Sequence, residues 1–443
     1  MNDNEKKYIE DFIKYCREDL SFIDPNFFDG IGNIFEHISD KYGKGENSGP
    51  IQYSDPNISV FTVEDKVKEC AKEELSPEEQ LKRAEEFYHC INEELGKMAH
   101  DAIEGVNKTI KDDSNPNQDL DPNALNLVLE GNNYSVIITV HELAHRFTLK
   151  SSDPNYKRGK GETELVNIFM SETPSILMEM FCQDFIQEKY GEKIPKDIER
   201  TKGVLITTLH NNFLPDQPTS AEKFKIFSKL MNKAQMEDLN EENYSEYKEM
   251  LVSLGIKDFS GHTPEDDINL FIMSEEHSIA TIYARYMYQQ IQKDPKCFSL
   301  LYASLYCNSL PKGFVQEQID FFEKLGLPLF KNGKMIVDTK SFEALTSSFD
   351  EYMQEENPKL PIEKISEAAS NLDEMHSMGS ILSETIKENG NKNQLYNSAI
   401  ILSTAAVTSQ DMLYMSNEVL KGNNSKESNK LDVQKDLVED PNK

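Results

Sequence analysis

Long apolar segments and an opening export signal are both missing from this sequence. The longest largely apolar run, Ala399 to Val407, is too short to span a bilayer. The chain does not open with a basic stretch followed by an apolar one, so no Sec-type signal is expected. Both observations predict a cytoplasmic protein that is not attached to a membrane.

Paired cysteines are missing as well. The chain has 6 cysteines, with no CxxC pair among them, and all lie in sequence with a helical pattern. This usage predicts reduced thiols in a cytosol rather than a disulfide framework. The cysteines are Cys16, Cys70, Cys90, Cys182, Cys297 and Cys307.

Positive charge is scarce. Lys and Arg number 47 against 78 Asp and Glu, which gives a formal net charge of -31. This charge argues against nucleic acid and anionic membranes as partners, and it weakly favours neutral or basic ligands. It would also keep the protein in solution without any partner.

The hydrophobic content of 38% is enough for a sizeable core, in one large domain or in two to three smaller ones.

Strand patterns are few, and the sequence therefore predicts a mainly α protein. Ser76-Pro77-Glu78-Glu79 is a helix start, and helical patterning over 315–355 predicts a helical region with a turn at 326–328. Ala124 to Leu129 alternates briefly and predicts one short strand. That strand could pair with an extended peptide, or it could be a plain buried connection.

The segment that follows this strand contains a His-Glu-x-x-His pattern, His141 to His145, with apolar flanks at helical spacing. Residues four apart lie on one face of an α-helix, so His141 and His145 can direct two imidazole nitrogens at one zinc ion. Glu142 lies close enough to reach a water bound to that ion. The alternative is an amphipathic helix whose histidines are buried or rim groups. The apolar pattern places both imidazoles beside a buried face, which favours zinc.

A catalytic zinc takes three protein ligands and keeps one position open. Downstream carboxylates that could supply the third ligand are Glu162, Glu164, Glu172 and Glu179. Glu164 lies 19 residues after His145, a spacing similar to that of the aminopeptidase-type and thermolysin-type gluzincins. Four residues further on, however, is Ile168, where a thermolysin-like enzyme would need an Asp to support the site.

Glu172 belongs to a more specific pattern. The segment from Ser171 to Glu179 resembles the Glu-x-Pro-Ser-x-x-x-Glu segment of the thimet oligopeptidase and oligoendopeptidase F family of zinc metallopeptidases. In that family the first Glu is the third zinc ligand. The resemblance therefore implies one zinc ion held by His141, His145 and Glu172. Glu179 would support a ligand histidine or would be a simple surface carboxylate.

A second segment, residues 271–288, is similar to a helix of that family in which a His and a Tyr contact the substrate and stabilise the oxyanion. His277 matches the family His, and Tyr283 best matches the tyrosine of the oligoendopeptidase F version. Tyr286 is the next candidate, for substrate binding, and Tyr288 is a weaker one. Without the resemblance, a tyrosine-rich helix is more typical of a core or an interface.

The resemblance runs loosely from about residue 55 to 355 and has three departures. Ala144 stands where the family usually has Gly. The large N-terminal helical portion of the family is largely missing, which implies a more open cleft, and residues 361–443 have no counterpart. The expected organisation is an N-terminal helical segment and linker (1–55), a helical zincin-type catalytic domain (56–360), a C-terminal helical extension (361–421) and a disordered polar tail (422–443).

The function implied is a zinc-dependent endopeptidase that hydrolyses oligopeptides with a metal-activated water and with Glu142 as general base. His277 and Tyr283 would stabilise the oxyanion. A peptide is the expected partner, and the C-terminal extension could recruit a protein. Three alternatives stay open: a zinc aminopeptidase that uses Glu164, a non-catalytic binding protein that keeps the metallopeptidase fold, and an effector secreted into another cell.

Overall fold

The structure is a computed structural model of the 443-residue chain. It describes residues 3–42, 75–105, 108–110, 125–127, 131–151, 172–191, 218–257, 259, 261–295, 298, 319, 323, 327–354 and 362–369.

The described residues form a mainly helical fold, which confirms the predicted class. The helices, in chain order, are α1 (Asp3–Glu18), α2 (Phe27–Tyr42), α3 (Pro77–Ile91), α4 (Glu93–Glu104), α5 (Asn133–Ser151), α6 (Thr173–Tyr190), α7 (Ser220–Met236), α8 (Tyr244–Ser253), α9 (Pro264–Lys293), α10 (Thr339–Gln354) and α11 (Ile362–Ala369). None of the helices in this part of the chain is both long and apolar enough to cross a membrane.

Two short strand pairs accompany the helices. Strand β2 (Leu125–Leu127) lies where a strand was predicted, and it pairs in parallel with β1 (Lys108–Ile110), with Lys108 opposite Leu125. Strand β2 also contacts α5, so it lies beside the helix that carries the His-Glu-x-x-His pattern.

An antiparallel hairpin interrupts the region that was predicted to be helical from 315 to 355. Its strands are β3 (Phe330–Lys331) and β4 (Lys334–Met335). The two residues between them, Asn332 and Gly333, have φ angles of 54° and 67°. An Asn-Gly pair with positive φ at both positions forms the tight turn that joins two antiparallel strands. The expectation of an almost continuous helical region here was wrong for this reason.

The N-terminal helices belong to the main hydrophobic core. Phe28 of α2 lies 4.5 Å from Phe227 and 6.0 Å from Phe224 of α7, measured between ring centroids. Phe224 in turn lies 5.2 Å from Phe271 of α9. Buried apolar residues continue from Tyr8 of α1 to Ile365 of α11 in one cluster. Helices α1 and α2, predicted as a separate segment, are therefore packed into the same core as α7 and α9.

Helices α5, α6 and α9 carry the residues of the candidate site, and α3 supports α5. Helix α5 packs on α3 on one side and on α6 on another, and α6 also packs on α9. Ser76 caps α3 as predicted, since its side chain accepts a hydrogen bond from the Glu79 amide at 3.2 Å. From α3, the buried Tyr88 hydroxyl donates to the Val140 carbonyl oxygen at 2.7 Å, one residue before His141. Helix α3 thus supports the helix that carries His141, and α6 lies between that helix and the one that carries His277.

Some predictions fall partly or wholly outside the described residues. Of the C-terminal extension, only α11 is described; it packs on α3 and α6, and its Ile362 and Ile365 are buried. The rest of the extension and the polar tail lie outside the described residues. Three of the six cysteines are described, and all three are free thiols, as predicted: Cys16, Cys90 and Cys182.

Candidate metal centre

The two imidazoles of α5 converge, as the helical spacing predicted. The Nε2 atoms of His141 and His145 lie 2.8 Å apart, and their ring centroids are separated by 4.5 Å. His141 is buried and His145 is partly buried. Apolar neighbours on α5, including Val140 and Ala144, are fully buried and hold this part of the helix against the core. One end of each imidazole therefore faces the same small volume.

Glu172 reaches that volume from the start of α6. Its Oε1 lies 3.2 Å from His145 Nε2, and its Oε2 lies 3.6 Å from His141 Nε2. Pro174 stands in the first turn of α6, where a helix tolerates proline because the missing N–H would have no partner there. The structure thus brings the three predicted ligands, His141, His145 and Glu172, together.

His277 of α9 is the fourth residue at this point. Its Nε2 lies 3.4 Å from Glu172 Oε2, and its ring is nearly parallel to that of His141, with 6.4 Å between the centroids. His141, Glu172 and His277 each offer a ligand atom, and these atoms lie within 4.8 Å of one another, so the group could hold a metal ion. The His277 side chain is 60% exposed, so it lies at the solvent side of the group.

The residues present fit a metal ion chemically. Oε2 of Glu172 is buried, and it has no hydrogen-bond partner among the described residues. A buried carboxylate oxygen that is left without a donor or a cation costs free energy. Imidazole nitrogen and carboxylate oxygen are the ligand atoms that zinc takes in catalytic sites. An ion among these side chains would satisfy the oxygen that the described residues leave without a partner.

Glu179 contacts the ring nitrogen of His141 that faces away from Glu172. Its Oε1 lies 2.6 Å from His141 Nδ1, and the Glu179 side chain is only 12% exposed. Burial opposes protonation of His141, but the hydrogen bond to Glu179 and the charges of Glu179, Glu172 and Glu142 outweigh it and raise its pKa to about 9. Of the two roles that the sequence left open for Glu179, the structure favours support of a ligand histidine.

Burial shifts the pKa values of the other two groups, His145 and Glu172, in opposite directions. Burial lowers the pKa of His145 well below its ordinary value, and the neighbouring imidazoles of His141 and His277 lower it further. The pKa of Glu172 is raised, chiefly by burial and also by the carboxyl group of Glu276, although the charge of His141 opposes the shift. His145 is therefore held neutral, which is the form of imidazole that binds a metal ion.

The remaining predicted residues lie around this group. Glu142 is partly buried on α5, next to His141, and its charge acts on both His141 and Glu172. Tyr283 is buried, its hydroxyl donates to the Pro328 carbonyl oxygen at 3.4 Å, and its ring stacks on that of Tyr286. It lies six residues after His277, which turns it about 120° around the helix axis. The catalytic role of Tyr283 and the substrate-binding role of Tyr286 stay predictions.

Tyr288, the weaker candidate, connects two of the helices around the site. Its hydroxyl donates to Oδ2 of Asp184 at 2.5 Å, and both residues are buried. This hydrogen bond joins α9 to α6, about three turns along α9 from His277. Its structural role is to fix the packing of the helix that carries Glu172 against the helix that carries His277.

Sequence reasoning missed two residues next to the ligand atoms. Ser175 Oγ lies 3.3 Å from Nδ1 of His145. Glu276 lies near enough to Glu172 that its carboxyl group raises the pKa of Glu172. The signal for Ser175 was present, because it lies three residues after Glu172 and four before Glu179, on the same face of α6. Glu276 had no comparable signal beyond its position next to His277.

We compared the chain with models of protein families, with curated proteins and with solved structures, and none of them matches. The rival carboxylates Glu162 and Glu164 lie outside the described residues. The argument for function consequently depends on the geometry around His141, His145 and Glu172.

Proposed function

We propose that this protein is a zinc-dependent endopeptidase that hydrolyses oligopeptides, as its resemblance to the thimet oligopeptidase and oligoendopeptidase F family implies. One observation carries the proposal. A buried carboxylate oxygen of Glu172 has no hydrogen-bond partner among the described residues, and it lies 3.6 and 3.4 Å from the Nε2 atoms of His141 and His277. A metal ion at the centre of this arrangement would satisfy that oxygen.

His141, His145 and Glu172 would hold the zinc ion through two Nε2 atoms and a carboxylate oxygen. When bound, zinc supplies a Lewis acid that polarises a peptide carbonyl and lowers the pKa of a water molecule. Glu179 keeps the proton of His141 on Nδ1, which leaves the Nε2 lone pair for the ion. This set is the coordination sphere that the sequence pattern predicts.

The remaining roles belong to side chains at the edge of the group. Glu142 would take a proton from the attacking water and later pass it to the leaving amine. His277, which is exposed and within 3.4 Å of Glu172, would donate a hydrogen bond to the carbonyl oxygen as negative charge develops there. We favour His277 over Tyr283 for this task, because the Tyr283 hydroxyl already donates to the Pro328 carbonyl.

The proposal is tested by digestion of a mixed peptide library with the zinc-loaded full chain and identification of the products by mass spectrometry. We expect internal cuts. Glu142→Gln should keep zinc and lose activity by about 100-fold or more. Glu188→Gln, at an exposed position near the end of α6, is the matched control and should retain activity.

Three outcomes would overturn the proposal. Removal of single residues from the N-terminus of each peptide would indicate the aminopeptidase that uses Glu164. Zinc binding with no turnover over broad peptide pools would indicate a binding protein. A Glu142→Gln variant that keeps zinc and cleaves as fast as the wild type would remove Glu142 from the mechanism.

A further inference from the structure

Helix α6 turns one face of its first two turns towards α5. Glu172, Ser175 and Glu179 are spaced by three and four residues, which places them on the same side of the helix. Glu172 reaches His145 at 3.2 Å, and Glu179 reaches His141 at 2.6 Å. Ser175 lies between them, is fully buried, and has its Oγ 3.3 Å from Nδ1 of His145.

We propose that Ser175 is a positioning residue of the metal centre, whose hydroxyl oxygen accepts the Nδ1–H of His145 and so presents the Nε2 lone pair to the ion. The proposal rests on the metal site proposed above. Neutral imidazole carries one proton, and a hydrogen bond at one nitrogen decides which of the two nitrogens keeps it. Nδ1 faces Ser175 while Nε2 faces His141 and Glu172.

In the opposite tautomer, His145 could not bind the ion through Nε2. A proton on His145 Nε2 would point towards His141 Nε2, 2.8 Å away, and would occupy the lone pair that the ion needs. Ser175 supplies an acceptor that favours the productive tautomer.

The two histidines thus have unlike partners, a carboxylate for His141 and a hydroxyl for His145. The charges give a reason for the difference. Glu172 and Glu179 are buried, Glu142 and Glu276 are partly buried beside them, and a further carboxylate in place of Ser175 would add to the negative charge of the site. A neutral acceptor fixes the ring without that cost.

The test measures zinc affinity of the full chain without substrate, by competition with a chromophoric chelator. Ser175→Ala should weaken zinc binding by roughly 10- to 100-fold, the range seen when a hydrogen-bond partner of a ligand histidine is removed. Ser175→Thr keeps the hydroxyl and should restore most of the affinity. Ser228→Ala is the matched control, since Ser228 is also buried in a helix but donates to the Pro25 carbonyl.

A spectroscopic readout separates positioning from a general loss of packing. Nitrogen NMR of histidine-labelled, metal-free protein reports the tautomer of His145, and it is recorded at high pH, where His141 is neutral and cannot donate to Nε2 of His145. We expect one tautomer in the wild type and in Ser175→Thr, and a mixture in Ser175→Ala. If Ser175→Ala fails to fold, Ser175→Val gives the same test, because valine has the shape of threonine but lacks the hydroxyl.

The inference fails if Ser175→Ala, or Ser175→Val in its place, keeps wild-type zinc affinity and a single His145 tautomer. A wild-type chain that binds no zinc at all would instead contradict the proposed function. The two failures are therefore distinguishable in the same experiment.

Discussion

Glu179 Oε1 lies 2.6 Å from Nδ1 of His141, while Nε2 of the same ring faces Glu172. A hydrogen bond to a charged carboxylate is among the stronger ones in proteins, and it fixes both the orientation and the proton of the imidazole. Because Glu172 stands at the N-cap of α6 and Glu179 lies two turns further along it, one helix supplies both carboxylates that lie next to His141. Packing of α6 on α5 is therefore what builds the site.

Replacement of Glu179 tests this relationship. Glu179→Gln keeps the size of the side chain but removes its charge, so the imidazole of His141 becomes less basic and less firmly oriented. We expect zinc affinity to fall by roughly 10- to 100-fold. Competition with a chelator measures the change, and Glu188→Gln on the same helix should leave affinity as it is. Equal affinity in both variants would mean that Glu179 does not act through His141.

The pH dependence of metal binding follows from the same contact. In the metal-free protein the pKa of His141 is raised to about 9, so His141 carries an extra proton at neutral pH. An ion needs the neutral ring, so binding must release that proton, and the raised pKa of Glu172 adds to the release. Affinity should therefore rise as pH rises from neutrality and level off above about 9.

Calorimetry in buffers of different ionisation enthalpy counts the protons released on zinc binding. We expect about one proton or more near pH 7.5, and fewer in Glu179→Gln, whose His141 loses the partner that raises its pKa. A zinc affinity that stays constant between pH 7 and pH 9 would contradict the coupling of His141 to Glu179.

The contacts of His277 and Tyr283 predict different effects when the two residues are replaced. His277→Ala should keep zinc, because three ligands remain, and should lose about 100-fold or more in kcat/KM. Tyr283→Phe should change kcat/KM by less than about tenfold, since its hydroxyl donates to Pro328. Steady-state kinetics and metal analysis of both variants check this. Loss of zinc in His277→Ala would instead make His277 a ligand, and a large loss in Tyr283→Phe would restore the role that the sequence predicts for it.

The shared core makes a prediction about stability. Phe224 is fully buried against Phe28 and Phe35 of α2 and Phe271 of α9. Phe224→Ala should lower the free energy of unfolding by about 3–5 kcal/mol. Met236→Ala, at the exposed end of the same helix, should change it by less than about 0.5 kcal/mol. Urea unfolding followed by circular dichroism measures both, and an unchanged Phe224→Ala would mean that α2 and α7 do not share a core.

The fold was predictable where the signal is local. The helical class, the Ser76 cap and the short strand β2 follow from spacing and turn chemistry, and the structure contains all three. Which core an amphipathic helix faces is not a local property, so α2 was predicted as part of a separate segment although it packs on α7. The Asn332-Gly333 turn was a local signal that the surrounding helical pattern obscured.

The candidate site, like the fold, was predictable from the sequence only where the signal is local. His141 and His145 share a face because of the helical repeat alone, so their convergence needs no knowledge of tertiary structure. The position of Glu172 depends on how α6 packs on α5, and only its resemblance to a family segment predicted it. Helical spacing places Ser175 on the same face of α6 as Glu172 and Glu179, but its role was missed because a serine is not recognisable as a histidine partner from its type alone. Periodicity places Tyr283 on a helix face, but its bond to Pro328 joins residues 45 positions apart.

The most direct test is a crystal structure of the zinc-loaded protein with anomalous diffraction at the zinc edge. The account predicts one zinc ion per chain, with Nε2 of His141 and of His145 at about 2.0–2.1 Å and a carboxylate oxygen of Glu172 at about 2.0–2.2 Å. An ion bound elsewhere, or one held by His141 and His145 with Glu164 in place of Glu172, would contradict it.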